Sequence, residues 1–209
     1  MSIQRTAYQN LIQWKNSNSR KPLLLRGARQ VGKTTLVRQF AKEFDVYVEL
    51  NLERESDINL FASDRVDDIL NAAYLLKRVI PKGRVLLFID EIQESPKAIQ
   101  LLRYFYEEKP ETYVIAAGSL LEFALKDVPN FPVGRIEYLY LSPINFEEYL
   151  GSLKNEQALQ VLNTIPFPDY AHNILLESFH AYAIIGGMPE IVDQYIKDNN
   201  IIKLGKTYH

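Results

Sequence analysis

Gly27, Ala28, Arg29, Gln30, Val31, Gly32, Lys33 and Thr34 spell G-x-x-x-x-G-K-T between an apolar run and an amphipathic segment. Few folds can use such a string. Glycine at each end admits torsions and close approaches that a β-carbon forbids, so successive backbone N–H groups can converge on one anion. A helix beginning at Lys33 or Thr34 places its positive dipole end beneath that anion. Lys33 can then reach the β and γ phosphates, and the Thr34 hydroxyl can ligate Mg2+. The candidate nucleotide contact runs from Gly27 through Thr35. Arg29 and Gln30 fall in its variable part, where solvent exposure competes with a role in sensing nucleotide. A chance glycine turn is the plain alternative, and the flanking patterns argue against it.

Those flanks extend along the chain. Apolar runs of strand length at 23–25, 46–52, 85–89, 113–117 and 136–141 alternate with segments of helical period. Leu36, Val37, Phe40, Ala41 and Phe44 share one helical face, as do Val66, Ile69, Leu70, Ala73 and Leu76. Ser95 followed by Pro96 reads as a cap opening a helix that carries Ile99, Leu102, Phe105 and Tyr106. Ser119 with Glu122 and Asn145 with Glu148 have the spacing of capping boxes. The alternation predicts an α/β P-loop NTPase fold, a three-layer sandwich around a mostly parallel sheet. After Pro143 no strand pattern follows, and helices are expected at 169–185 and 189–197, split by Gly186 and Gly187. The expected domains are therefore a P-loop ATPase domain at 1–150 and a small helical lobe at 151–209.

The run at 85–89 leads directly into Asp90 and Glu91. An apolar strand would deliver both carboxylates to the C-terminal edge of the sheet, where open α/β folds bind ligands. Asp90 is the candidate Mg2+ ligand and Glu91 the candidate base for an attacking water. A polar strand end is the ordinary alternative. Because the strand at 46–52 intervenes in sequence, the order suits the ATPase branch in which a further strand separates the two motifs. Ser119, at the end of the fourth strand, is either a sensor of the terminal phosphate or a helix cap. Arg135, just before the fifth, is either an arginine finger, acting in cis or into a neighbouring subunit, or an exposed structural residue. The stretch around Arg5 and Tyr8 is a candidate for the nucleotide base.

Composition narrows the partners. With 24 Lys and Arg against 26 Asp and Glu, the net charge of −2 gives no general attraction to nucleic acid or anionic lipid. Absent cysteines exclude disulfides and zinc–thiolate sites and fit a reducing cytoplasm. His172, His180 and His209 form no metal pattern, and the 13 tyrosines, Tyr138 and Tyr140 among them, read as half-buried packing, with use at an interface as the alternative. The longest apolar runs are of strand length, so no membrane partner is expected.

Five ordered motifs now stand together: the stretch 20–35; Asp90, Glu91, Ile92 and Gln93; Ala117, Gly118 and Ser119; 132–135 with 141–149; and Gly186, Gly187, Met188, Pro189 and Glu190. Together they resemble a bacterial and archaeal group of AAA-type ATPases, in which an ATPase core precedes a C-terminal domain of unknown function. The resemblance covers nearly the whole chain. It implies binding and hydrolysis of ATP with Mg2+, with the catalytic and binding roles on Lys33, Thr34, Asp90 and Glu91. It also implies a continuation past Tyr208, through which a protein or DNA effector would be reached, and leaves a homo-oligomer open. One departure is that residues 136–209 contain no arginine, so the sensor arginine that many AAA+ motors carry in the helical lobe is not in this segment. That departure keeps a second reading alive: a nucleotide-gated binding module with negligible hydrolysis.

Overall fold

A computed structural model describes residues 3–119, 121 and 132–198. Within them one sheet holds β1 (Leu23–Arg26), β2 (Val46–Asn51), β3 (Val85–Asp90), β4 (Tyr113–Ala117) and β5 (Glu137–Tyr140). Its spatial order is β2-β3-β4-β1-β5. Every neighbouring pair is parallel: Leu24 stands opposite both Ala116 and Tyr138, and Phe88 opposite both Glu49 and Ile115. The expected strand runs at 23–25, 46–52, 85–89, 113–117 and 136–141 each coincide with one of these strands to within a residue or two.

β3 is buried along its whole length, as an apolar strand covered on both faces must be. Period-two alternation divides its side chains. Leu87 and Ile89 pack with Val48, Leu50, Val114 and Ala116 against α4 (Val66–Lys77) and α5 (Pro96–Glu108), which bury Ile69, Ala73, Leu102 and Phe105. Burying each such large side chain contributes about 1.5–3 kcal/mol. The opposite face carries α1 (Ala7–Asn16) and α2 (Lys33–Phe40). There Trp14 and Phe40 meet Phe44 and Tyr113 edge-on or tilted, with ring centroids 4.8 to 6.3 Å apart. The result is the expected three-layer P-loop NTPase sandwich.

Local signals explain several boundaries. Ser95 Oγ accepts from the Ala98 N–H at 3.1 Å, with Pro96 at the first helical position of α5. Helix α2 stops at Phe40 and passes into a 3-10 turn, so Phe44 packs from outside the helix. Leu76, expected on the apolar face of α4, is exposed, because the buried stripe there consists of Val66, Ile69, Leu70 and Ala73. The short α3 (Glu55–Ile58) follows β2.

Tyr8–Leu141 forms one compact unit, and the described parts of Met1–Ala7 and Ser142–His209 form a second. The second unit contains α6 (Phe146–Ser152), α7 (Glu156–Leu162), α8 (Asp169–Ile185) and α9 (Pro189–Asp198). Residue 150, the expected domain boundary, lies inside α6. Leu150 is buried with Ala158, Ala171 and Leu175, and Tyr149 with Ile185, Ile191 and Val192, so the change of core comes earlier, after Leu141. Asn145 and Glu148 make the anticipated capping box. The same Glu148 carboxylate also accepts from Arg5 Nε at 3.0 Å and from the Thr6 N–H at 2.7 Å. Among the described residues no helix is long and apolar enough to cross a membrane.

Candidate nucleotide site

β1 ends at Arg26 and α2 starts at Lys33, so residues 27–32 must turn the chain at the C-terminal edge of the sheet. The loop is fixed at two points. At Gly27, where φ is +152°, a β-carbon would sit 2.3 Å from the Leu141 carbonyl oxygen, so only glycine allows β1 and the segment after β5 to approach this closely. Val31 is fully buried. Between them Ala28, Arg29 and Gln30 project into solvent, with Gln30 at φ 62°. Gly32 precedes α2 in the left-handed region and supplies no side-chain cap. The first-turn N–H groups of α2 are therefore not spent on a cap, and the positive end of its dipole faces the same edge.

Lys33 is buried, and its Nζ donates to the carbonyls of Gly27 at 2.9 Å and Ala28 at 2.8 Å. Burial pushes its pKa below the ordinary lysine value, while Glu91 and then Asp90 counter that and Arg29 adds to it. The Thr34 hydroxyl donates to Asp90 Oδ2 at 2.7 Å, joining the loop to the tip of β3. Burial also raises the Asp90 carboxyl above its ordinary value, against the hydrogen bond from Thr34. The other Asp90 oxygen accepts from the Glu91 N–H at 3.1 Å.

Strand order brings in a third element. β4 lies between β1 and β3, so its end at Ala117 opens between the loop and the acidic pair. Ser119 follows there; its Oγ is buried and has no hydrogen-bond partner among the described residues. Its capping partner Glu122 lies outside the described residues. A cleft of about 470 Å³ is lined by Arg29, Gln30, Gly32, Lys33, Thr34 and Thr35, with Glu91 and Ser119 completing it. That volume lies within the range of small-molecule sites. Cations, free amide donors and an orphan hydroxyl suit a polyanion. Among the described residues no cluster of three or more His, Cys, Asp or Glu could hold a metal by itself. The Thr34 hydroxyl and the Asp90 carboxylate are instead hard oxygen donors that could hold Mg2+ together with phosphates.

Two sequence-based candidates lie elsewhere. Arg135 precedes β5 at the N-terminal edge of the sheet, about four strand residues or roughly 13 Å from the cleft edge. Its Nε donates to Glu107 Oε1 at 3.0 Å. The structure thus gives Arg135 an exposed ion pair and does not bring it to the cleft in cis. Arg5 is buried on Glu148 and Ser142, while the Tyr8 hydroxyl donates to Glu43 at 3.3 Å. Neither residue lines the cleft. Gln93, conversely, carries no role in the sequence reading, yet its Nε2 donates to Glu91 Oε2 at 2.6 Å. Only its place two residues after Glu91, in a motif of the resemblance, could have signalled it.

A parallel sheet in this order, with a glycine loop feeding its first helix and an acidic pair on the second strand over, defines a P-loop nucleotide-binding domain. Residues 19–150 match the family described as AAA domain, and the chain belongs to that family and is an ATP-binding module of it. Among solved structures it is similar to the Walker-type ATPase of Pyrococcus abyssi, with TM-score 0.61 and 19% identity over 98% of this chain and 71% of that one. It is also similar to Drosophila ORC bound to DNA, with TM-score 0.52 and 18% identity over 95% of this chain and 64% of that one. At these identities the likeness shows the fold. No curated protein matches the chain.

Proposed function

We propose that the domain is a magnesium-dependent ATPase releasing ADP and phosphate. The observation that carries this reading is the 2.7 Å hydrogen bond from Thr34 to Asp90, which joins the glycine loop to the acidic strand tip beside Lys33 and Glu91. The N–H groups of residues 27–35 hold the phosphates, and Lys33 adds a positive charge that disperses the charge of the transferring group. Thr34 and Asp90 hold the metal. When bound, Mg2+ neutralises charge developing on the phosphate oxygens. Glu91 accepts the proton of a water as its oxygen bonds to the γ-phosphorus and the bond to the β–γ bridging oxygen breaks. Ser119 offers its hydroxyl, unpaired among the described residues, to the γ-phosphate or that water.

The Tyr8–Leu141 unit then supplies the chemistry, and the helical unit conveys the nucleotide state to an effector, either protein or DNA, or to a second copy of the chain. An arginine from another copy, Arg135 included, would have to enter in trans. Calorimetry and a phosphate-release assay test the reading. Lys33→Ala should abolish or greatly weaken ATP binding. Glu91→Gln should bind ATP like the parent and lose turnover by roughly 10²-fold or more. Undiminished turnover in Glu91→Gln sinks the base assignment. Tight binding with negligible parental turnover would select the nucleotide-gated binding module instead.

A further inference from the structure

A base on a long side chain must be aimed, because a freely rotating carboxylate spends little of its time against the attacking water. Glu91 is unusual for a strand-end residue. It occupies the left-handed region at φ 52° and ψ 47° and opens a 3-10 turn in which the Glu94 N–H reaches the Glu91 carbonyl at 3.1 Å. This turn folds residue 93 back beside residue 91. Gln93 Nε2 thereby meets Glu91 Oε2 at 2.6 Å, while a contact of 3.5 Å to Glu94 Oε1 sits at the outer limit of a hydrogen bond. An ionised carboxylate only accepts, so the amide nitrogen must be the atom that faces it.

The other end of the amide is the unexpected part. Gln93 Oε1 is buried without a partner among the described residues. It lies over Gly118, where a β-carbon would come within 2.3 Å of it. Burying an amide oxygen unsatisfied costs stability, and packing alone gives no reason to bear that cost. The next residue is Ser119, whose hydroxyl is likewise buried and, among the described residues, unpaired. One amide therefore touches the tip of β3 through Glu91 and the end of β4 through Gly118.

We infer that Gln93 is a positioning residue for Glu91, with its amide clamped over Gly118 so that one carboxylate oxygen is held and the other is left for water. The inference rests on the reading of Glu91 as the base. Gln93→Ala should lower kcat roughly tenfold and leave the KM for ATP within about twofold. Gln93→Glu, which keeps the shape but replaces the donor with a carboxylate, should lose at least as much. A second readout needs no turnover. The side-chain 15N amide signal of Gln93 in the nucleotide-free protein, assigned by its loss in Gln93→Ala, should move in Glu91→Gln. A kcat for Gln93→Ala at or above the parent, a change confined to KM, a parent-like Gln93→Glu, or a Gln93 signal indifferent to Glu91→Gln each overturns the inference. If the parent binds ATP without turnover while the Gln93 signal still follows Glu91, the hydrolytic reading falls and the positioning contact is supported.

Discussion

The hydroxyl of Thr34 is where the two halves of the candidate site meet, and it is a sensitive point because its acceptor is a buried carboxylate. Thr34→Val keeps the branched shape but withdraws the donor from Asp90 and the candidate oxygen from the metal, whereas Thr34→Ser keeps both. The expected outcome is an apparent Mg2+ affinity roughly tenfold or more weaker in Thr34→Val, and near-parental affinity in Thr34→Ser. Titration of phosphate release against Mg2+ at saturating ATP checks this. Equal Mg2+ dependence in the two variants would remove Thr34 from the metal site. Residues of this kind were legible in the sequence because glycine, lysine and threonine at that spacing have few other uses. Gln93 and Arg135 were not. What an amide or a guanidinium does depends on what it faces, and the Glu91, Gly118 and Glu107 that face them are set by a local turn and by strand order rather than by spacing.

Strand and helix periods carried most of the element-level reading, because a strand buried on both faces is a continuous apolar run and a covering helix shows one apolar stripe. Spatial order was less accessible. Nothing in the run at 113–117 states that it inserts between β1 and β3, yet that insertion brings Ser119 to the cleft, while Arg135, just ahead of β5 in its parallel pairing with β1, falls at the opposite edge. Beside the sheet, α3 is tied down by a polar group that patterning does not reveal. Asp57, almost wholly buried, accepts from Lys77 Nζ at 2.9 and 3.0 Å, from the Asn51 N–H at 2.9 Å and from Ser56 at 3.0 Å. Burial alone would raise its pKa, but the hydrogen bonds from Lys77, Asn51 and Ser56 outweigh it and hold the carboxyl below its ordinary value. The folded state therefore prefers the ionised form. Its stabilisation is present above the unfolded value of about 3.9 and is lost as pH falls through the lower folded value. Asp57→Asn should cost about 2 kcal/mol in urea unfolding at pH 7. The gap to the parent should close as the acid limit is approached. A gap that stays constant into strong acid would show that the charge on Asp57 is not what matters.

At the scale of the molecule, the chain departs from a simple order of domains, because the helical unit takes its polar anchor from residues near the other end of the sequence. Arg5 and Thr6 converge on Glu148, which Asn145 also caps. An α/β pattern followed by a helical pattern suggests one boundary. It is silent about an N-terminal strand of chain that joins the later unit, since a single buried salt bridge 143 positions apart has no periodicity. The Arg5 and Glu148 side chains are both nearly sealed from solvent. Removing one partner leaves a buried charge, and such losses run to about 3–5 kcal/mol. Arg5→Ala should therefore destabilise the unit formed with residues 142–198 far more than the one at Tyr8–Leu141. Arg5→Lys, which keeps the charge but not the planar donor fork, should recover part of the loss. Hydrogen exchange read by peptide distinguishes the two units: protection in α6, α8 and α9 should fall while β1, β3 and β4 keep theirs. A uniform loss across both would mean that the Glu148 anchor supports the whole chain in one cooperative step, and an unchanged pattern would mean that the anchor contributes little.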